Sequence, residues 1–349
     1  MAQNSYTSPL GRINEIKGEM LRIAEPVEVL AIGCTMKKMP TNKGDNITYR
    51  SRIPTGGSAT ADTRGQNFNR WSITAQAHQV QEGVTPTAET ISYRDVSVQI
   101  GQFAVLYSYT DKVAMFHEDD IPGDQMTQTA ERMPLVREMI RYGVMKACTN
   151  VWYAGIGNTT RAMVNSTATY NNLSALSRTL LGNHAKMKTK ILAPGPAYDT
   201  SAIEAGFIVF GHTDLEHDIR QLPDFVPVAK YAQRQPINEY ELGSVGRYRF
   251  ILSPELAPYL QAGAAVGSTG LKATSGNIDV YPMIVCAEDA VFDVALNTNF
   301  DVTHIPAKTK TKEDPFGQRG YVGAMFWSAA LVANPGWIGV LECAVTDLG

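Results

Sequence analysis

The clearest strand pattern in the chain lies at residues 91–110, which have the sequence ISYRDVSVQIGQFAVLYSYT. Apolar and polar residues alternate along it, which is typical of a β-strand with one buried face. The alternation changes phase near Asp95 and again near Gly101. A phase change inside one strand indicates a bulge or a bend. The stretch therefore predicts a long, bent strand.

A partner for this strand is predicted upstream, where short alternating segments flank a small, polar stretch at 56–65. The alternating apolar positions are Ile47, Tyr49, Trp71, Ile73, Ala75 and Ala77. A loop at 82–86 then leads into the long strand. We therefore expect an antiparallel ribbon whose tip is too long and too polar for its own domain to cover.

A long helix is predicted after the ribbon, over about 125–154, with Asp124 as its N-cap. Pro134 is expected to kink or split this helix, and Gly155-Ile156-Gly157 to end it. One apolar stripe at helical spacing supports the prediction. It consists of Met126, Ala130, Met133, Val136, Ile140, Val144, Ala147 and Val151.

Three shorter helices are predicted elsewhere in the chain. Ser8-Pro9, followed by apolar residues at helical spacing up to Pro26, predicts a short amphipathic helix that needs a surface to pack against. A second helix is expected around 173–181, with Gly182 as its stop. Thr213 and Glu216 have the spacing of a capping box at the start of a third helix.

The remaining pattern indicates an α+β body. Residues 207–210 predict a buried strand, 262–276 an exposed loop, and 322–332 and 337–345 two apolar strands separated by Asn334-Pro335-Gly336. No internal repeat is present in the sequence.

Composition narrows the function classes. The 349 residues carry a formal net charge of −3, which does not favour tight, sequence-independent DNA binding. The four cysteines are far apart and form no zinc-binding pattern, so reduced, packed thiols are expected. Neither a signal peptide nor a membrane span is predicted, and synthesis in a cytoplasm is expected.

The best metal candidate is the group His212, Asp214, His217 and Asp218, in which Asp214 and His217 would lie one helical turn apart. The favoured interpretation is a polar, capped first turn of a helix. The segment 117–120 is a weaker acidic group, and Gly155-x-Gly157 lacks the strand and third glycine of a dinucleotide site. We therefore assign no catalytic, cofactor-binding or metal-binding residue.

Lys308, Lys310 and Lys312 alternate with threonine and would share one face of a strand. Two interpretations remain open for them. One is a contact with nucleic acid or an acidic neighbour, and the other, favoured, is a charged strand edge that resists aggregation.

The order of these elements resembles the Hong Kong 97-type fold of tailed-phage major capsid proteins, in particular the podovirus-like branch. The resemblance covers nearly the whole chain and is firmest at 40–155 and 310–345. The segments that carry it are PTNKGDNITYR at 40–50, EGVTP at 82–86, YSYTDKV at 107–113, HED at 117–119 and DPFGQR at 314–319.

The resemblance implies four parts. Residues 1–50 would form an N-terminal arm, and 51–95 an extended loop that reaches over a neighbouring subunit. Residues 96–190 and 301–349 would form a peripheral domain with the long spine helix. Residues 191–300 would form an axial domain that meets its copies around five-fold and six-fold axes.

Some members of this fold join a lysine of the extended loop covalently to a neighbour, but no lysine lies between Lys43 and Lys112. We therefore expect a shell held by packing, strand addition and salt bridges. Arginine suits such contacts because its fork binds a carboxylate at two points. The candidate inter-subunit residues are Arg50, Arg52, Arg70, Trp71, Arg94 and Arg319.

The implied function is a coat protein without enzymatic activity, assembling into hexamers and pentamers of an icosahedral head around double-stranded DNA. The implied partners are the portal, a scaffold and a decoration or cement protein, with only weak, non-specific proximity to DNA and no membrane. Two alternatives remain: a cellular encapsulin-like compartment shell of the same fold, and a metal-dependent enzyme using His212, Asp214 and His217.

Overall fold

The computed structural model describes residues 27–42, 44–58, 68–83, 85, 88–191, 203–231, 236–267, 269–296, 301–310 and 312–349. The amphipathic helix predicted before Pro26 and most of the small, polar stretch at 56–65 lie outside these residues.

The described residues form strands and helices in mixed order. The strands are β1 (Cys34–Lys38), β2 (Asn46–Arg52), β3 (Tyr93–Gln99), β4 (Gly101–Thr110), β5 (Val151–Tyr153), β6 (Phe207–Gly211), β7 (Phe225–Pro227), β8 (Glu241–Val245), β9 (Tyr248–Leu252), β10 (Ala273–Ser275), β11 (Asn277–Ile278), β12 (Tyr281–Cys286), β13 (Val291–Ala295), β14 (Asp301–Ile305), β15 (Arg319–Val332) and β16 (Ile338–Cys343). The helices are α1 (Asp111–Phe116), α2 (Ile121–Lys146), α3 (Tyr170–Gly182) and α4 (Glu216–Arg220).

A five-stranded sheet is organised around the 14-residue strand β15. One edge of β15 pairs antiparallel with β4, and its other edge pairs with β13 and β14. Strand β1 extends the sheet as a parallel neighbour of β13. The long helix α2 packs on this sheet through Met133, which contacts Ala324 and Phe326 of β15 in a small apolar cluster.

A seven-stranded sheet has the order β5-β16-β12-β6-β9-β8-β7. Both of its faces are covered, which explains why every residue of Phe207–Gly211 is buried. Phe207 and Val209 face the cluster that includes Leu173, Leu176 and Leu180 of α3. Ile208 and Phe210 face the opposite cluster, which includes Tyr142 and Met145 of α2 together with Val29 and Leu30.

The α+β fold class is confirmed, and so are the buried strand at 207–210, the helix around 173–181 and the two final apolar strands. The final strands separate, because β15 enters the five-stranded sheet and β16 the seven-stranded sheet. The four cysteines are free and buried, as the packed-thiol interpretation expects.

The predicted limits of the long helix are wrong at both ends. Helix α2 begins at Ile121, because the side chain of Asp120 rather than Asp124 accepts a hydrogen bond from the backbone N–H of Gly123. The helix continues through Pro134 and ends at Lys146. Residues 151–153 then form a strand, so the 155–157 loop follows β5 and does not end the helix.

Other strand predictions fail where apolar residues alternate without a partner strand. Residues 71–77 form no strand, and Ala75–His78 is a short 3-10 turn. Strand β3 runs unbroken through Asp95, so the chain is interrupted only at Ile100, near the second phase change. Lys308, Lys310 and Lys312 lie in the loop between β14 and β15, and Lys308 has a φ of 79°.

The predicted capping box at Thr213 and Glu216 is also wrong. His212 is the N-cap of a 3-10 turn at Thr213–Leu215, and its Nδ1 atom accepts the backbone N–H of Asp214 at 3.1 Å. Because the imidazole already serves this turn, Thr213 has no capping role, and the α-helix begins only at Glu216.

Candidate inter-subunit surface

The ribbon of β2 and β3 forms a two-stranded sheet of its own, separated from β4 by Ile100. On its outer face, Arg50 lies directly opposite Asp95. The guanidinium donates two hydrogen bonds of 2.7 Å to the two carboxylate oxygens. These bonds lower the pKa of Asp95, although the Arg50 side chain is 67% exposed. The outer face therefore presents a charged pair to solvent.

The inner face of the ribbon packs against the five-stranded sheet. The ring of Tyr49 contacts the ring of Phe292 edge-on, with 5.1 Å between their centroids. Ile47 and Val98 join this cluster around Ile100. The base of the ribbon is therefore held by apolar packing, as an isolated two-stranded ribbon requires.

Beyond this base, every described residue from Arg70 to Tyr93 is exposed. We call this segment, residues 70–93, the exposed lobe. It carries five large apolar side chains that are 46–61% exposed: Trp71, Ile73, Val80, Ile91 and Tyr93. Clustered exposed apolar residues mark an interaction surface, because leaving them in water forfeits about 25 cal/mol for each Å² of apolar surface that a partner would bury.

A cleft of about 640 Å³ lies between the ribbon and the exposed lobe. Trp71, Ile91 and Tyr93 contribute its apolar lining, and Arg52 and Glu89 contribute opposite charges. The lining therefore combines apolar and polar surface, as protein–protein interfaces do.

The candidate contact residues have different positions. Arg50, Arg52, Arg70 and Trp71 are exposed on the ribbon or the lobe. Arg319 is exposed at the start of β15, beside a second cleft of about 430 Å³. Arg94 is 9% exposed, and its guanidinium lies 3.5 Å from the ring centroid of Phe68 in the same chain. The structure therefore gives Arg94 an intrachain role.

A buried charged cluster, which the apolar pattern did not predict, joins α2 to two strands. Arg141 donates hydrogen bonds of 3.0 Å and 2.6 Å to Oδ2 of Asp293 and one of 3.2 Å to Glu138. Arg137 lies 3.0 Å from the same oxygen of Asp293. Ser328 of β15 donates to Oδ1 of Asp293 at 3.3 Å. Two cations thus balance two anions, as burial requires.

The same cluster also holds the first described residues of the chain. Oε1 of Glu138 accepts the backbone N–H groups of Val29 at 2.7 Å and Leu30 at 2.6 Å. The carboxylate is fully buried. The apolar stripe gave no signal for this cluster, because Arg137, Glu138 and Arg141 lie between its positions.

The candidate metal ligands do not converge. His212 lies 3.4 Å from Asp214, but Oδ2 of Asp214 accepts hydrogen bonds from Lys272 at 2.6 Å and Tyr281 at 2.8 Å. His217 instead contacts Gln221, and Asp218 accepts two hydrogen bonds from Thr346. Within the part of the chain that the structure describes, no group of three or more His, Cys, Asp or Glu could hold a metal ion.

Burial also determines the chemistry of the thiols. It raises the pKa of Cys34 and of Cys148 to about 12 and raises those of Cys286 and Cys343 further. A thiol with a raised pKa is a poor nucleophile near neutral pH. Among the described residues, no helix is long and apolar enough to cross a membrane.

The known proteins that this chain resembles are phage capsid proteins. No protein-family model matches the chain. The major capsid protein of Pseudomonas phage KPP21 is 23% identical over 239 residues, covering 63% of this chain. The match spans 59% of that relative's length.

Solved phage capsids match over almost the whole chain. The capsid of Ralstonia phage GP4 has a TM-score of 0.66 at 10% identity and covers 99% of this chain and 100% of that one. The capsid of Cyanophage Pam1 has a TM-score of 0.60 at 12% identity, with both chains fully covered. The chain therefore has the Hong Kong 97-type fold of phage capsid proteins.

Proposed function

We propose that this chain is the major capsid protein of a tailed bacteriophage of the podovirus-like branch. Copies assemble into hexamers and pentamers of an icosahedral head that encloses double-stranded DNA. The role is structural and not enzymatic. The observation that carries the proposal is the exposed lobe, whose large apolar side chains need a cover that the described residues of the chain do not supply. A second copy, placed by a repeated heterologous contact, provides that cover and builds a closed shell.

The proposal divides the chain into the four parts that the resemblance implies, with the same residue ranges. Residues 1–50 act as the N-terminal arm, 51–95 as the extended loop, 96–190 and 301–349 as the peripheral domain, and 191–300 as the axial domain. The seven-stranded sheet supports an axial domain that also recruits β5 and β16 from the flanking segments. The five-stranded sheet with α2 supports a peripheral domain that also takes β1 from residues 1–50 and β13 from residues 191–300.

The contact residues that fit this proposal are Arg50, Arg52, Arg70, Trp71 and Arg319, because each is exposed. Arg94 contributes indirectly, through the shape of the loop. Salt bridges, packing and strand addition hold the shell without a covalent lock, since the extended loop contains no lysine.

The portal, a scaffold and a decoration or cement protein are the further proposed partners. The net charge of −3 supports weak, non-specific proximity to DNA over tight binding. The protein is made in the host bacterial cytoplasm and resides in the virion.

Electron microscopy of the purified protein, with light scattering for its mass, tests the proposal. Closed icosahedral shells, or hexamers and pentamers, are the expected result. A protein that stays monomeric at all concentrations, including in crowding agents and with its phage's scaffold protein added, would contradict it.

A further inference from the structure

The extended loop does not leave the body as one simple hairpin. After β2, the structure describes one leg of the loop at residues 53–58 and a second leg from Phe68 onward. The two legs are bonded where they meet, because the backbone N–H of Ser72 donates to the carbonyl of Thr55 at 2.9 Å. A Cβ at Gly56 would lie 2.5 Å from Cβ of Ser72, so only glycine permits this approach.

The returning leg inserts Asn69 between two buried asparagines of the body. The backbone N–H of Asn69 donates to Oδ1 of Asn183 at 3.2 Å, and its side-chain amide donates to Oδ1 of Asn334 at 2.8 Å. The same oxygen of Asn334 accepts the backbone N–H of Gly336 at 3.2 Å. The carbonyl of Asn183 accepts the indole N–H of Trp337 at 2.9 Å.

Arg94, on strand β3 of the ribbon, contacts Phe68 and Asn69. Its Nη2 atom donates to Oδ1 of Asn69 at 2.8 Å, and its Nη1 atom donates to the carbonyl of Phe68 at 3.3 Å. Its Nε atom donates to Ser51 of β2 at 2.9 Å. The ring of Phe68, which is 3% exposed, lies beneath the guanidinium. Ribbon, loop and body are therefore joined at one point.

This arrangement is specific because its polar groups are buried. Asn69, Asn183 and Asn334 are at most 8% exposed, and a buried amide is tolerated only when its hydrogen bonds are made. The boundary is sharp: Asn69 is 6% exposed, whereas the next residues, Arg70 and Trp71, are exposed. The buried contact thus lies at the point where the exposed lobe begins.

We propose that Asn69, Asn183, Asn334 and Arg94 form a latch that fixes the direction in which the exposed lobe leaves the body. The latch residues are positioning residues: they hold Arg70 and Trp71 where a second copy can contact them. This inference rests on the proposed capsid function, but the intrachain part of it can be measured on the unassembled protein.

The test replaces Asn69 with alanine, which removes both hydrogen bonds made by the Asn69 side chain. Asn171→Ala is the matched control, because Asn171 is an exposed asparagine on α3, the helix that Asn183 caps. Ile284→Val controls for stability alone, since Ile284 is fully buried in the seven-stranded sheet, away from the loop. If Asn69→Ala does not fold, Arg94→Lys removes the planar fork with a smaller change in volume.

Two readouts separate the latch from the proposed function. Amide hydrogen exchange at Asn69 and Ser72 of the unassembled chain is expected to accelerate about tenfold or more in Asn69→Ala and to stay unchanged in both controls. The yield of shells is expected to fall about tenfold or more in Asn69→Ala, but not in Ile284→Val compared at an equal loss of thermal stability.

Unchanged exchange in Asn69→Ala would overturn the latch whether or not shells form. Equal losses of assembly in Asn69→Ala and Ile284→Val would also overturn it, because stability alone would then explain the effect. A wild-type chain that never assembles contradicts the proposed function, while accelerated exchange in Asn69→Ala would still establish the intrachain contact.

Discussion

Oε1 of Glu138 accepts the backbone N–H of Leu30 at 2.6 Å, across 108 positions of the chain. This bond ties the first described residues to the middle of the long helix. Leu30 is fully buried in the cluster that covers one face of the seven-stranded sheet. The position of Val29 and Leu30 on this face is therefore set by a carboxylate inside the protein.

Removing that carboxylate should destabilise the chain strongly. We expect Glu138→Ala to lower the free energy of unfolding by about 3–5 kcal/mol, because it leaves Arg141 and two backbone N–H groups buried with fewer partners. Urea denaturation measures this change. Glu239→Ala, at an exposed glutamate, is the control and should change it by less than about 0.5 kcal/mol. A loss at Glu138 as small as in the control would show that the bond contributes little.

The exposed lobe should matter for assembly and not for folding. We expect Trp71→Glu to change the free energy of unfolding by less than about 0.5 kcal/mol, because the side chain is already 46% exposed. The same change should prevent shell formation, since it places a charge at an apolar contact. Light scattering follows assembly, and Gln76→Glu in the same lobe controls for the added charge. Normal shells from Trp71→Glu would remove Trp71 from the interface.

Asp214 should act as a structural carboxylate. Burial raises its pKa, but hydrogen bonds from Lys272 and Tyr281 outweigh burial and hold the pKa below the ordinary value of 3.8. Its stabilising contribution is therefore present above about pH 4 and lost as the pH falls through the lowered pKa. We expect Asp214→Asn to cost about 1 kcal/mol at pH 7, and the difference from wild type to shrink below pH 3.8.

Thermal unfolding at several pH values measures this effect, and zinc addition separates the two interpretations of the site. Under the structural interpretation, zinc leaves the melting temperature unchanged. A clear rise with zinc that is abolished in His217→Ala would favour the metal-site interpretation.

The four cysteines should be inert in the native chain. Because burial raises every thiol pKa, Ellman's reagent at pH 8 is expected to label less than about one thiol per folded chain. In denaturant it should label all four. Rapid labelling of the folded chain would show that one of these sites opens readily.

Mature shells should come apart into single chains. With no lysine between Lys43 and Lys112, the extended loop has no amine for a covalent lock. Boiled shells should therefore run as one band at the mass of a single chain on a denaturing gel. Ladders of linked subunits would contradict this expectation, and intact-mass spectrometry would identify the linkage.

Much of the fold was predictable because short apolar runs in the sequence indicate buried strands. The apolar residues of 207–210 and of the two final strands predicted buried strands, and the order of the elements predicted the capsid fold. The sequence could not reveal that β15 and β16 enter different sheets, because that choice depends on partners distant along the chain.

The wrong predictions have two physical causes. At 71–77 and 308–312, alternation favoured a strand, but no described strand pairs with either segment. In α2 the apolar stripe placed Met126 and Ala130 on the buried face, yet both are exposed, whereas Gln125, Thr129, Glu138 and Arg141 are buried. Buried polar networks are invisible to a pattern that counts only apolar residues.

The contact role of the candidate residues stays a prediction, and the structure shows only which of them are exposed. The lysine-free loop and its arginines indicated a contact surface, and Arg50, Arg52, Arg70 and Trp71 are exposed there. Arg94 could not be distinguished from them, because its burial depends on Phe68 and Asn69, which lie 25 or more residues earlier in the chain.

The most direct test of the account is a cryo-electron microscopy reconstruction of the assembled particle at side-chain detail. The account predicts that Trp71, which is 46% exposed in the single chain, becomes buried against a neighbouring copy. A closed shell in which the exposed lobe remains in solvent, with Trp71 touching no other copy, would contradict it.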